Sequence, residues 1–323
     1  METLQIILGL AIIIITFLDF FHTTLSGNGF GWISEWLNRT LNRLIIKNRS
    51  RSIYNYSGVI HLLLTTFVWM ALHFSGTYLI FTAGENMVIN GTTFVPATYA
   101  ERFYFTGYML STLGIGDFTP GNDTSRILVG ILSFSGFILI TTGLTYLLSV
   151  VSAVLSKKEL SFYISTVGKD YEGLYHYFKK QDELEFLMSD SSDLRQQILK
   201  NASSYLSFPM VNYFLTKKRN SALILQLARL HEVLTVLQLD WGEDTIQRAK
   251  IQKILNAIEK YLKIGIEGPE SAIHKEEKLR TLRGSWKKYG YDFPDGKEID
   301  PWFTSSLKYA GWDWDDVYKL DPE

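Results

Sequence analysis

The sequence contains no cysteine among its 323 residues. Disulfide frameworks, thiolate metal sites and cysteine nucleophiles are therefore excluded. Charge is scarce in the first half of the chain: residues 1–156 hold seven basic and seven acidic side chains, whereas residues 157–323 hold 25 and 26. Because a bilayer excludes charge and water does not, this asymmetry predicts a membrane region followed by a soluble region.

Three apolar segments are long enough to cross a bilayer, which takes roughly 20 helical residues. They are residues 3–25, 57–82 and 126–155. The first has no basic stretch before it and no cleavage motif after it, so we expect a retained anchor and not a signal peptide.

The distribution of basic residues predicts the orientation of these three spans. The linker between the first two spans carries five of them, and Lys157 and Lys158 follow the third span, whereas residues 83–125 carry mostly acids. Basic loops stay on the cytoplasmic side. We therefore expect a multi-pass protein of the cell membrane, with the N-terminus outside and the C-terminal domain in the cytoplasm.

The pattern divides the chain into three parts: residues 1–56, 57–156 and 157–323. Within the first part, residues 31–50 place Trp32 and Trp36 on an apolar helical face. This is typical of a helix in the inner membrane interface, with a polar linker as the alternative.

The third part is predicted to be a soluble helical domain. Residues 221–239 form an apolar helix candidate, and residues 242–265 show helical periodicity that ends at Gly265. The last 40 residues mix tryptophans with Gly, Pro and Asp, which predicts an irregular capping region. Its acids, Asp313, Asp315 and Asp316, could hold a cation, dock a partner or form a solvated tail.

A glycine-rich stretch, STLGIGDFTPG at residues 111–121, follows an apolar segment, 98–112, that is too short to cross a membrane. Such a segment can be re-entrant where its backbone is covered or faces water. A dinucleotide loop would need a third glycine between a strand and a helix. A plain outer turn would leave the short apolar segment unexplained.

The order of span, short helix, TLGIGD and span resembles the pore of the tetrameric potassium-channel family, whose usual filter sequence is Thr-Val-Gly-Tyr-Gly-Asp. The resemblance covers about residues 57–156. It implies an all-α membrane protein with three transmembrane helices, a re-entrant pore helix and a filter loop, joined to a soluble helical domain. It also implies a homotetramer in the bilayer.

The physical chemistry of a filter fits these residues. Stripping water from K⁺ takes rings of oxygens, which backbone carbonyls supply when alternate residues turn every C=O to one axis. Gly114 and Gly116 tolerate the positive φ that this requires. The resemblance places K⁺ at Thr112, Leu113, Gly114 and Ile115, with the Thr112 hydroxyl as the innermost ligand. Leu113 and Ile115 are expected to pack against the pore helix.

The segment departs from the family at two positions. Ile115 replaces the usual Tyr or Phe, which braces the filter, and so leaves strict selectivity for K⁺ over Na⁺ open. Tyr108 stands where many relatives have a carboxylate, and its phenol is expected to support the filter through Asp117. Asp117 either concentrates cations at the outer mouth or only caps the next segment.

Gly136 lies where the inner helix of this family often bends, so it is a candidate gating hinge, with close helix packing as the alternative. No span carries a regular array of arginines, so voltage sensing is not supported. Asp19 and His22, one turn apart near an end of the first span, could pair, bind the pore domain or, as we expect, reach the interface.

The sequence thus predicts a potassium channel and not an enzyme, with K⁺ as permeant ion and no cofactor. An unidentified cytoplasmic ligand or protein is a further candidate partner, and no nucleic acid is expected. Two alternatives remain open: a weakly selective cation channel, and a membrane-anchored sensor whose pore-like region is structural.

Overall fold

The structure is a computed structural model that describes residues 2–47, 55–180, 184–240, 246–265 and 301–319. The chain forms two compact units, whose bounds differ from those of the three predicted parts. The first comprises residues 1–48 and 59–150, and the second comprises 49–58 and 151–323.

Helices dominate the first unit, and the three predicted spans are confirmed as helices long and apolar enough to cross a membrane. In chain order the elements are α1 (Glu2–Leu25), α2 (Trp32–Lys47), α3 (Ser57–Phe81), a 3-10 turn (Glu85–Met87), β1 (Val88–Asn90), α4 (Tyr99–Leu110), β2 (Phe118–Pro120) and α5 (Asp123–Val167). Helix α5 continues past the predicted end of the span at Leu155 and enters the second unit.

Helix α1 crosses α3 at two glycines. A Cβ atom on Gly9 would lie 2.6 Å from the carbonyl oxygen of Gly76, and one on Gly76 would lie 2.8 Å from that of Gly9. Small residues at a crossing let two helix backbones approach closely in a membrane. The first span therefore packs directly on the helix that precedes the pore-like region, which explains why both fall in one unit.

Asp19 joins three helices. Its carboxylate is 1% exposed and accepts hydrogen bonds from the Trp69 indole N–H (2.8 Å), the Ile33 amide (2.7 Å) and the Ser34 hydroxyl. A carboxylate at the first turn of α2 also complements the helix dipole. Asp19 thus binds the predicted pore domain, and the expectation that it reaches the interface is wrong. His22 is exposed and has no part in this cluster.

The predicted helix after the first span is present as α2, and Trp32 and Trp36 are both exposed on it. Its buried face includes polar groups, since Asn38 donates to the Thr65 hydroxyl of α3 at 3.0 Å. The helix therefore combines an exposed aromatic face with a polar face held against α3.

A two-stranded antiparallel sheet is the exception to the predicted all-α fold. Strand β1 pairs with β2 in the register Val88↔Pro120, Ile89↔Thr119 and Asn90↔Phe118. The turn-rich loop 83–98 gave no strand signal, because three-residue strands are too short to show an alternating pattern.

The second unit contains the tail of α5 and a bundle of helices. They are α6 (Tyr171–Lys180), α7 (Leu184–Ser207), two 3-10 turns (Pro209–Tyr213 and Arg219–Ser221), α8 (Leu223–Asp240), α9 (Ile246–Gly265), α10 (Pro301–Tyr309) and α11 (Trp314–Tyr318). The two predicted helices correspond to α8 and α9, and α9 ends at Gly265 as expected. Helix α8 is the buried centre, as its apolar sequence indicated.

The C-terminal acids have structural partners. Asp313 and Asp316 form a capping box at the start of α11, and Asp316 pairs with Arg219 at 3.0 Å. Buried Arg229 of α8 donates to the carbonyls of Val317 and Lys319. Among the described residues no cluster of three or more acids or histidines could hold a metal. These acids fix the helix end onto the bundle.

Candidate functional site

Helix α4 begins at a capping box that the sequence carries as Thr-x-x-Glu. The Thr98 hydroxyl accepts from the Glu101 amide, and the Glu101 carboxylate accepts from the Thr98 amide at 2.7 Å. These two bonds satisfy amide groups that an N-terminus leaves unpaired. The short helix therefore has a fixed start although it is too short to cross a bilayer.

Arg102 holds α4 to the end of α3 and to the loop between them. Its side chain is buried and donates to four carbonyl oxygens: Ala97 (2.8 Å), Phe81 (3.2 Å), Gly84 (2.9 Å) and Glu85 (2.8 Å). Hydrogen bonds from a charged donor in such a site are stronger than neutral ones. No motif in the sequence signalled this role of Arg102.

The chain leaves α4 through a tight turn. Ser111 is the C-cap, and the Leu113 amide still bonds the Tyr108 carbonyl at 2.9 Å. The Thr112 amide bonds the Met109 carbonyl at 3.1 Å. Residues 112–117, which we name the filter-like segment, therefore start from a position fixed by the helix.

The backbone of the filter-like segment alternates in handedness. φ is +59° at Thr112, +58° at Gly114 and +86° at Gly116, whereas Leu113 and Ile115 keep negative φ. The two glycines adopt this conformation without strain, as predicted. Thr112 does not, because a left-handed non-glycine residue costs roughly 1–2 kcal/mol. No sequence motif indicated strain at Thr112.

The side chains of Leu113 and Ile115 are 68% and 50% exposed in the single chain. Their expected packing against the pore helix stays a prediction. An apolar surface at this position is left for another molecule to cover.

The phenol of Tyr108 was expected to support the filter through Asp117, but it bonds a different group. It donates to the Phe118 carbonyl, while Tyr104, one turn earlier on α4, is placed to hydrogen-bond the Asp117 carboxylate. Burial and the nearby Asp117 charge raise the pKa of Tyr108 to about 12. Both causes also raise the pKa of Tyr104. Because both phenols stay protonated at neutral pH, they remain donors beside the segment.

The β1–β2 sheet braces the far end of the filter-like segment. The Gly91 amide, just after β1, donates to the Asp117 carbonyl at 2.8 Å. A Cβ atom on Gly91 would lie 3.0 Å from the Gly116 carbonyl oxygen. Strand β2 follows Asp117 directly, so its pairing with β1 holds the exit of the segment. The sequence did not reveal this contact.

Gly136 of α5 lies against the C-terminal end of α4. A Cβ atom there would be 2.6 Å from the Leu110 carbonyl oxygen, and α5 is one uninterrupted helix through this position. This geometry favours close packing, the alternative to the hinge. The hinge at Gly136 stays a prediction.

Arg102→Lys is expected to lower the free energy of unfolding of the membrane region by about 3 kcal/mol, because an ammonium cannot bond four separate carbonyls. Thermal unfolding of the purified chain in detergent measures the effect. Arg126→Lys is the matched control, since Arg126 is exposed and pairs only with Asp123. Equal unfolding temperatures for the two variants would contradict the assigned role of Arg102.

Gly136→Ala is expected to destabilise the chain by about 1–3 kcal/mol, because its methyl group overlaps the Leu110 carbonyl. Gly130→Ala on the same helix meets no atom within 4 Å and is expected to be neutral or slightly stabilising. The same unfolding measurement compares them. Altered gating in Gly136→Ala with unchanged stability would favour the hinge.

Comparisons with known proteins agree with this geometry. Residues 59–153 match a family model described as ion channel. The uncharacterised membrane protein YdjJ of Bacillus subtilis (strain 168) is 28% identical over 241 residues, which is 72% of this chain and 69% of that protein. No solved structure matches the chain. The matched residues hold α4, the filter-like segment and most of the apolar part of α5, and this stretch is similar to the ion-channel family. The three long apolar helices and the membrane-protein relative support a multi-pass membrane protein.

Proposed function

We propose that the chain is one subunit of a homotetrameric, potassium-selective channel of the cell membrane. One observation carries the proposal: φ is positive at every second residue of the filter-like segment, at Thr112, Gly114 and Gly116. The segment lies between a short capped helix, α4, and the long apolar helix α5. The ion-channel family match over residues 59–153 supports it.

Coordination of an ion by carbonyl oxygens requires a backbone whose residues alternate in handedness. In a strand, consecutive carbonyls point to opposite sides, but alternate left- and right-handed residues bring them to the same side. The carbonyl oxygens of Thr112, Leu113, Gly114 and Ile115, with the Thr112 hydroxyl, would then replace the water around K⁺. Gly116 completes the turn at the exit.

Four subunits follow from the fact that each chain supplies one such segment. A ring of carbonyls needs copies around an axis, and closed rotational symmetry provides them. Leu113 and Ile115 are the apolar side chains that neighbouring subunits would cover in that ring. Burial of exposed apolar area is the main favourable contribution to such an association.

The distribution of charge supports one orientation of the pore. Basic residues follow the first and third spans, and basic loops stay in the cytoplasm, so we expect the N-terminus and the filter-like segment to lie outside. Asp117 is exposed just beyond the glycines and would raise the local cation concentration at the outer mouth. The second unit would lie in the cytoplasm, at the end of α5.

Purified chain in liposomes is expected to carry K⁺ flux, and Gly114→Ala is expected to abolish it. A left-handed alanine costs roughly 1–2 kcal/mol in each subunit, which would turn the carbonyls away from the axis. A fluorescent assay of K⁺-driven proton exchange measures the flux. Gly130→Ala, which meets no neighbouring atom, is the matched control.

Two outcomes decide between the channel and the membrane-anchored sensor. Flux in wild type and Gly130→Ala but not in Gly114→Ala supports the channel. No flux in the wild type, with or without the C-terminal residues after Val167, would favour the sensor and a purely structural role for the filter-like segment.

Ile115→Tyr is expected to increase the K⁺ to Na⁺ permeability ratio by about fivefold, which corresponds to one additional hydrogen bond from the phenol of each subunit. Reversal potentials in mixed KCl and NaCl give the ratio. Ile115→Leu keeps the volume without a donor and is expected to leave the ratio unchanged. A wild-type ratio near one would favour the weakly selective alternative.

A further inference from the structure

The second unit contains a narrow recess of about 70 Å³ that is open to solvent. Ligand sites typically have apolar walls and a few polar groups. Most side chains around this recess are apolar or aromatic. Its principal walls come from separate elements of the unit and include Lys157, Tyr205, Phe214, Tyr261, Leu262 and Trp312.

Lys157 is the one ionised side chain among the described residues that line the recess. Its ammonium group lies 3.2 Å from the Phe214 carbonyl and 3.4 Å from the Val211 carbonyl, and 5.5 Å from the centre of the Tyr205 ring. In the part of the chain that the structure describes, no carboxylate pairs with it. Among the described residues, the groups that accompany this positive charge in the recess are neutral.

Aromatic rings form the rest of the binding surface. Tyr205 and Tyr261 meet edge to face, with their centres 4.9 Å apart, and Trp312 and Phe214 supply two more rings. Aromatic walls favour a flat aromatic ligand, since such pairs contribute beyond the area they bury. An ammonium group favours a carboxylate. Together they define a small aromatic monoanion.

The recess is connected to the helices on both sides of the filter-like segment. Lys157 is part of α5, which runs unbroken from Asp123 to Val167. The ring of Phe214 lies against Gly58 in the first turn of α3, where a Cβ atom would be only 2.2 Å from it. A ligand that moves Lys157 or Phe214 therefore acts on α5 or on the start of α3 without an intermediate element.

We propose that this recess is a regulatory site for a small aromatic carboxylate, whose anionic group binds Lys157 and whose ring packs among Tyr205, Tyr261 and Trp312. Occupancy would change the position of α5 relative to the segment that contains Phe214, and thereby the opening of the pore. The regulatory step rests on the proposed channel function, whereas the binding step does not.

Indole-3-acetate and its neutral analogue indole-3-acetamide test the binding step, because they share a ring and differ in charge. Calorimetric titration of the full-length protein in detergent is expected to show about tenfold tighter binding of the acid, as one charge-assisted hydrogen bond would give. Lys157→Met is expected to remove that preference. Lys158→Met is the control, since Lys158 is exposed and does not line the recess.

Ala310→Phe, which fills the recess from another wall, is expected to abolish binding of both compounds while the circular dichroism spectrum stays unchanged. Equal affinity for acid and amide, or an unchanged preference in Lys157→Met, would overturn the site. So would binding that survives in Ala310→Phe.

Liposome flux tests the regulatory step separately. Indole-3-acetate is expected to change K⁺ flux at least threefold in the wild type and in Lys158→Met but not in Lys157→Met. If binding depends on Lys157 but the protein conducts equally with and without the acid, the proposed regulatory role is overturned. Binding that depends on Lys157 in protein without any flux would retain the site and overturn the channel proposal.

Discussion

The filter-like segment depends on Arg102. This single buried guanidinium binds carbonyls at the end of α3, in the following loop and just before α4. These carbonyls lie where a helix or turn ends, and an unpaired carbonyl is costly in an apolar environment. Because α4 is only 12 residues long, it needs such an anchor to hold its C-terminal end, and hence Thr112, in one position.

The alternating backbone that follows α4 is strained at Thr112, so it must be held at both ends. At its start, the amides of Thr112 and Leu113 bond carbonyls of α4. At its exit, the Gly91 amide bonds the Asp117 carbonyl, and β1 pairs with β2. Strained conformations persist only where surrounding structure over-determines them. The side chain of Ile115 has no hydrogen-bonding group and so cannot brace the segment. The β1–β2 sheet supports the segment at its exit instead.

Helix α5 contains residues of both the membrane region and the second unit. Its apolar part packs Gly136 against the end of α4, and its polar tail contributes buried Leu160 and Ile164 to the second unit. One helix thus belongs to both units.

The sequence by itself determined the membrane spans, the two main helices of the second unit and the location of the filter-like segment. These depend on local signals: apolar length, helical periodicity, the Thr98–Glu101 capping box, and glycines at 114 and 116. Tertiary structure decided the rest. Asp19, Arg102, Gly91 and Gly136 act through partners 14 to 50 residues away or through backbone carbonyls. No local pattern encodes such contacts, because any residue has a carbonyl and only folding determines which ones meet.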